Sequence, residues 1–162
     1  MKIKSSLLSL LILSLVIFGP TKSSPANVPD QGPSARGAGS FTNTFFARPG
    51  VYEFSFEASA NKNGRAHGRA VFDNLTAQTH IEIRIECLLV DSGNASITGT
   101  VLHSNDPELP KGTRVVFGAV DSVPPLRDII TLAFPNPEEG CEQFLFPLSL
   151  FELDEDAIQV EP

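Results

Sequence analysis

The chain reads as an all-β protein: an antiparallel up-and-down meander of about 7–8 strands forming a small barrel, with a β-sandwich as the alternative. Three observations predict this. Apolar and polar residues alternate with a period of two in successive segments. Short runs of Asn, Gly, Asp and Ser separate those segments. No segment of ten or more residues keeps a helical period.

The first strand predicted with a clear alternation carries Tyr52, Phe54, Phe56 and Ala58 on one face, with Glu53, Ser55, Glu57 and Ser59 on the other. Asn61-Lys62-Asn63-Gly64 follows, and Asn and Gly tolerate the positive φ of tight turns. A strand from Arg65 to Phe72 places Ala66, Gly68, Ala70 and Phe72 inward and Arg65, His67 and Arg69 outward. A second turn spans Asn74 to Gln78. From Thr79 to Val90, Ile81, Ile83, Ile85, Cys87 and Leu89 share one face against Glu82, Arg84 and Glu86. Ala95, Ile97, Gly99 and Val101 then form the inner face of the next strand.

Because these inner positions are odd on both strands, side-chain parity predicts an odd-length loop, Ser92-Gly93-Asn94. Inner glycines at Gly68 and Gly99 suit sharp strand bending. Later strands are expected at Thr113 to Asp121, Ile129 to Phe134, within Phe144 to Leu153, and Ala157 to Val160. Short links favour pairing between neighbours, which is the reason to expect a barrel.

Residues 1–26 read as a signal peptide. Lys2 and Lys4 supply positive charge, and Leu7 to Phe18 is an apolar run interrupted by Ser9 and Ser14. Gly19-Pro20 ends it, with small residues at Ser23, Ser24 and Ala26. Cleavage is expected after Ser23 or Ala26. The run is about 12 residues, short of the roughly 18–20 a spanning helix needs, so no membrane span is expected in the mature chain. There is no Cys near the end of the run, so a lipid anchor is not expected. The protein is expected to be secreted or periplasmic. Residues 27–40, rich in Pro, Gly, Ser and Ala, read as a flexible leader, with a single β domain over 41–162.

Removing residues 1–26 takes away three lysines and no acid. That leaves 9 basic and 19 acidic residues, a net charge of −10. Such a chain repels nucleic acid and anionic membrane surfaces. After Arg127 there are nine acids and no base, a pattern that favours solubility. A monomer is expected.

Cys87 and Cys141 are the only cysteines. In an exported chain, two cysteines predict one disulfide, tying the loop that starts at Pro135 to the core. The bridge closes a loop of about 55 residues, for which chain entropy gives at most about 4 kcal/mol. There is no Cys-x-x-Cys, so a redox role is not expected.

The segments Phe54-Ser55-Phe56-Glu57-Ala58, Ile85-Glu86-Cys87-Leu88-Leu89-Val90 and Gly93-Asn94-Ala95-Ser96-Ile97, with Gly64 and Gly68, form a pattern that continues at Val120-Asp121, Cys141 and Ala157-Ile158-Gln159-Val160. The chain thereby resembles, over about Val51 to Val160, a family of small exported bacterial β-proteins without an established activity. Two departures fall in loops. Ser122-Val123-Pro124-Pro125 stands where a Gly-rich turn is usual, and Ala157 where Gly precedes the last Ile. The resemblance implies export, a bacterial source, β architecture and the Cys87–Cys141 pairing, and implies nothing about chemistry.

A search for reactive groups assigns no catalytic, cofactor-binding or metal-ligating residue, and no cofactor. There is no Gly-x-Ser-x-Gly. His67 and His80 fall on successive strands, and with Asp106 or Glu82 they match no metal signature. Glu53 and Glu57 read as cross-strand partners of Arg65, His67 and Arg69. Asp154-Glu155-Asp156 lacks the framework of a calcium loop. Asn74-Leu75-Thr76 and Asn94-Ala95-Ser96 match the glycosylation pattern, without meaning in a bacterial protein. Twelve Phe, one Tyr and no Trp suit core filling. The sequence points to a non-enzymatic binding or structural module. The alternatives are a hydrolytic or metal-dependent secreted enzyme, and an inhibitor-like protein presenting the tethered loop.

Overall fold

The computed structural model describes residues 32–44, 48–61, 65–136, 150–153 and 157–162. Among them there is no helix, and ten strands form one antiparallel sheet. They are β1 (Ser34–Asn43), β2 (Gly50–Ala60), β3 (Arg65–Asn74), β4 (Thr79–Asp91), β5 (Asn94–Ser104), β6 (Arg114–Val120), β7 (Ile129–Thr131), β8 (Phe134–Pro135), β9 (Leu150–Glu152) and β10 (Ile158–Glu161). The order is β10-β1-β2-β3-β4-β5-β6-β7-β9, with β8 pairing β6 beside this path. The meander is as expected, because each link up to β6 joins neighbours. The strand number exceeds expectation because β1 was not expected and the strand expected at Ile129 to Phe134 is broken into β7 and β8.

Tyr52, Phe54 and Phe56 of β2 point inward with Phe41 of β1 and Phe72 of β3. Phe117 of β6 meets Phe56 and Phe72 edge-on, with ring centroids at 5.6 and 5.3 Å. Rings from β6 therefore touch rings from β2 and β3, so the sheet is rolled and its interior bridged by side chains. Phe151 of β9 stacks on Phe41 at 4.5 Å. Truncating such a buried ring typically costs about 3–5 kcal/mol.

The expectation of a leader up to residue 40 is corrected here, since β1 begins at Ser34. Its inner positions Ala35, Gly37 and Gly39 are too small to produce a hydrophobic period. Neighbouring strands fill the space instead: a Cβ at Gly37 would lie 2.8 Å from the Phe56 ring and 2.9 Å from Ile158. Pairing to β2 on one side and β10 on the other holds the segment extended.

The β4–β5 loop also differs from expectation. Asp91 pairs with Asn94 around a two-residue turn, with Ser92 at φ 50° and Gly93 at φ 81°. Both central residues have the positive φ of a type I′ turn. Parity is restored inside the strand instead. Ile85 opposes Gly99 and Cys87 opposes Thr98, so Glu86 is an extra residue forming a bulge. The bulge exchanges the faces of β4. Ile81, Ile83 and Ile85 are buried before it and Leu88 after it, while Cys87 is half-buried and Leu89 is 37% exposed. The predicted inward placement of Cys87 and Leu89 does not hold for this reason.

The barrel expectation is corrected at one line. Among the described residues no backbone ladder joins β10 to β6, β7 or β9. Two carboxylates bridge the gap. Asp128 Oδ2 accepts the N–H groups of Ala157 and Ile158 at 2.8 and 2.7 Å, and its Oδ1 accepts that of Ser122 at 2.9 Å. Asp121 Oδ2 accepts the Val160 N–H at 3.0 Å. The edge donors of β10 are thus satisfied by side chains where a barrel would supply a strand.

Candidate binding face

The outer face of the sheet gathers residues that lie far apart in the sequence. Register places Gln159, Arg36, Glu57, Arg69, Arg84, Thr100 and Arg114 in one row across β10, β1, β2, β3, β4, β5 and β6. Four of the seven arginines beyond residue 26 stand in this row. Beside it, Ala38, Ser55 and Val71 form a row of small side chains. Between the two runs a shallow groove of about 640 Å³, lined by Arg36, Glu57, Arg69 and these small residues. A second groove of about 560 Å³ continues past Arg36 and Glu57 toward His67 and Glu161.

Each arginine has a defined partner. Arg36 donates through Nε to Gln159 Oε1 at 2.8 Å, and through Nη2 to the same oxygen. Arg69 and Arg84 oppose each other directly, an unfavourable like-charge pair. Acids offset it: Arg69 pairs with Glu82 at 2.7 Å and Arg84 with Glu86 at 2.7 Å. Glu86 also meets Arg114 at 3.5 Å and accepts from Thr100 Oγ1 at 3.1 Å. Burial works against the Glu86 charge. The hydrogen bonds from Arg84 and Thr100 and the charges of Arg84 and Arg114 outweigh it and hold the carboxyl below its ordinary value. The bulge that inserts Glu86 is therefore also what sets this carboxylate among two arginines and a threonine.

A second polar cluster lies at one end of the sheet. Arg48, at φ 68°, donates from Nη1 to Asp106 at 3.1 Å and from Nη2 to the Ala133 carbonyl at 2.9 Å. Its own carbonyl accepts the Tyr52 hydroxyl at 2.7 Å and Asn43 Nδ2 at 3.2 Å. Asn74 donates to the Tyr52 oxygen at 2.8 Å. Burial raises the Tyr52 phenol above its ordinary value, while the Asn74 donor and the Arg48 charge pull it down and the Asp106 and Glu108 charges add to the rise. Arg48 spends its donors on Asp106, Glu108 and Ala133, so the cluster ties loops together and offers no open reactive group.

The residues weighed for a metal do not converge. His80 bonds Asp73 at 2.7 Å, whereas His67 opposes Ser59 at the other end of β3. Asp106 is held by Arg48, and Glu82 by Arg69. Among the described residues no group of three or more such side chains could hold an ion. Glu57 opposes Arg69 in register, but the expected charge pair is not made, since Arg69 pairs with Glu82; His67 opposes Ser59, and Glu53 opposes Asp73. Phe151 packs inward on Phe41. Cys141, Phe144, Phe146 and Asp154 to Asp156 lie outside the described residues, and so does the Cys87–Cys141 pairing at its second end.

Sequence reasoning missed both the arginine row and the Arg48 cluster. Arg36 stood in the segment read as a leader, and cross-strand rows leave no spacing signal along a chain. No helix among the described residues is long and apolar enough to cross a membrane. No protein-family model, no curated protein and no solved structure matches the chain.

Proposed function

We propose that this chain is an exported, non-enzymatic binding module, monomeric, bacterial in origin, and closed by a Cys87–Cys141 disulfide. The observation that carries the binding reading is the outer-face groove. It is floored by small side chains, walled by Arg36, Glu57 and Arg69, and built on paired strands rather than loops. A rigid sheet holds such groups in place at little ordering cost. The interior supports the same reading from the other side. Phe117 meets Phe56 and Phe72 across it, so contact with a ligand falls to the outer surface.

Export is supported by residues 1–26 and by the resemblance to small exported bacterial proteins. In an exported chain two cysteines favour one disulfide, and Cys87 is half-buried beside the β4 bulge. Intact mass of the exported protein is expected to show loss of residues 1–23 or 1–26 and of two hydrogens. An unshortened chain, or two thiols open to alkylation, refutes the corresponding statement.

The binding reading is tested with a photo-crosslinking amino acid at Ser55, on the groove floor, and at Lys111, on an exposed loop. A Ser55 adduct in the exporting cell, with none at Lys111, is expected. Equal adducts at both positions, or none at Ser55, would count against it.

A further inference from the structure

Arg36 and Glu57 occupy directly opposed positions on β1 and β2, and both are exposed. Opposed side chains have Cβ atoms about 4.5–5.5 Å apart, and opposite charges there ordinarily pair. These two do not. Arg36 turns its Nε and Nη2 to the neutral Gln159 amide. Arg69, the other cross-strand neighbour of Glu57, turns to Glu82. Among the described residues the Glu57 carboxylate makes neither an ion pair nor a hydrogen bond. The row thus presents positive, negative and positive groups in succession, the last partly offset by Glu82. The Arg36 charge is oriented by an amide that does not cancel it.

The floor of Ala38, Ser55 and Val71 lets an extended chain lie close to the sheet. Phe56 is the one aromatic residue of the lining, and its side chain is buried on the inner face, so the groove offers no ring on which a sugar could stack. A uniform polyanion would meet Glu57, and a uniform polycation would meet two guanidinium groups.

We propose that the groove docks an extended peptide segment of a partner protein that presents acidic, basic and acidic side chains at alternate positions. This rests on the binding-module reading and names its ligand. In an extended peptide, residues i, i+2 and i+4 share one face at about 6.7 Å intervals, which long side chains adjust to the strand spacing of about 4.8 Å. The outer acids meet Arg36 and Arg69, and the central base meets Glu57.

The test is an amide-resolved NMR titration of the mature protein with acetyl-Asp-Ala-Lys-Ala-Asp-amide. Comparison probes are the all-acidic Asp-Ala-Asp-Ala-Asp, the reversed Lys-Ala-Asp-Ala-Lys and an oligogalacturonate. Saturable shifts at Ala38, Ser55 and Val71 are expected with the first probe, at roughly millimolar affinity, as exposed ion pairs allow. Arg36→Gln and Glu57→Gln should each weaken it about threefold. Gln159→Glu offers the Arg36 fork an internal carboxylate, so it should keep the fold and weaken binding about as much as Arg36→Gln. Equal or stronger shifts from the all-acidic peptide or the oligogalacturonate overturn the proposal. So do shifts outside the groove, no shifts, or indifference to Gln159→Glu. The Ser55 crosslink reports on the binding reading separately, since it requires no particular charge pattern.

Discussion

The carboxylate of Asp128 accepts the backbone N–H of Ile158 at 2.7 Å, on the edge of β10 that no strand among the described residues pairs. Asp128 is 1% exposed, and its two oxygens take three N–H donors. An amide in its place cannot accept on both sides, so one set of donors would face an NH₂ group. Asp128→Asn should therefore cost about 3 kcal/mol or more. Asp121→Asn, with the Val160 donor alone, should cost less. Urea unfolding checks both, and an unchanged midpoint for Asp128→Asn would remove the clamp from the account of the fold.

Gly99 lies against β4 with no room for a side chain. A Cβ there would stand 2.2 Å from the Arg84 carbonyl oxygen and 2.8 Å from Ile83 Cγ2. Because the nearest atom is backbone, relief requires the strands to separate. Gly99→Ala should destabilise by about 1–3 kcal/mol, the usual range for overpacking. Thermal unfolding reads this directly, and a neutral result would mean that β4 and β5 are less closely apposed.

Ser92 adopts φ 50° in a turn that favours Asn or Gly. Ser92→Gly should raise stability by about 0.5 kcal/mol if relief of the positive φ outweighs the added freedom of the unfolded chain. Ser92→Asn should do at least as well, since Asn tolerates this region without that freedom. A lower melting temperature for Ser92→Asn would contradict the turn assignment.

Tyr52 links pH to stability at the alkaline end. Its folded pKa lies above the unfolded value of 10.0. Below 10 both states are protonated and its contribution is complete. Above it the unfolded state loses its proton first, so stability falls as pH rises through the folded pKa. Tyr52→Phe should remove this part of the alkaline slope. It should also cost about 1–3 kcal/mol at neutral pH, since the Arg48 carbonyl and Asn74 amide lose their shared partner. Urea midpoints compared at pH 8 and above 10 test both.

Glu86 acts at the acid end with the opposite sign. Its folded pKa is below the ordinary 4.5, so its contribution is present above that value and is lost as pH falls through the folded pKa. Glu86→Gln should flatten the acid limb of the stability profile. It should also leave Arg84 and Arg114 without their shared anion. A wild-type acid limb in the variant would show that Glu86 contributes little there.

Much of the fold was legible because strand alternation is a local property. The inward faces of β2 and β3 and the first half of β4 follow directly from Tyr52 to Ala58, Ala66 to Phe72 and Ile81 to Ile85. Legibility failed where small residues carried the pattern. Ala35, Gly37 and Gly39 signal nothing alone, yet they belong to a strand because the Phe56 ring and Ile158 occupy the space they leave. It failed again at Glu86, since an inserted residue exchanges the faces of everything after it. Of the candidate face only the outward Glu57 and Arg69 on neighbouring strands were legible, because Arg36 and Gln159 join them only through pairing.

The amino-acid sequence by itself determined the β class, the neighbour-to-neighbour order of the early strands and the aromatic filling of the interior. These depend on local propensity and on the contrast between adjacent residues. Tertiary structure alone decided the β4 register, the return of β10 to β1, the closing of its edge by Asp121 and Asp128, and the row in which Arg36 opposes Glu57. Each is a relation between segments distant in the chain, and it exists only once loop closure has set one strand against another.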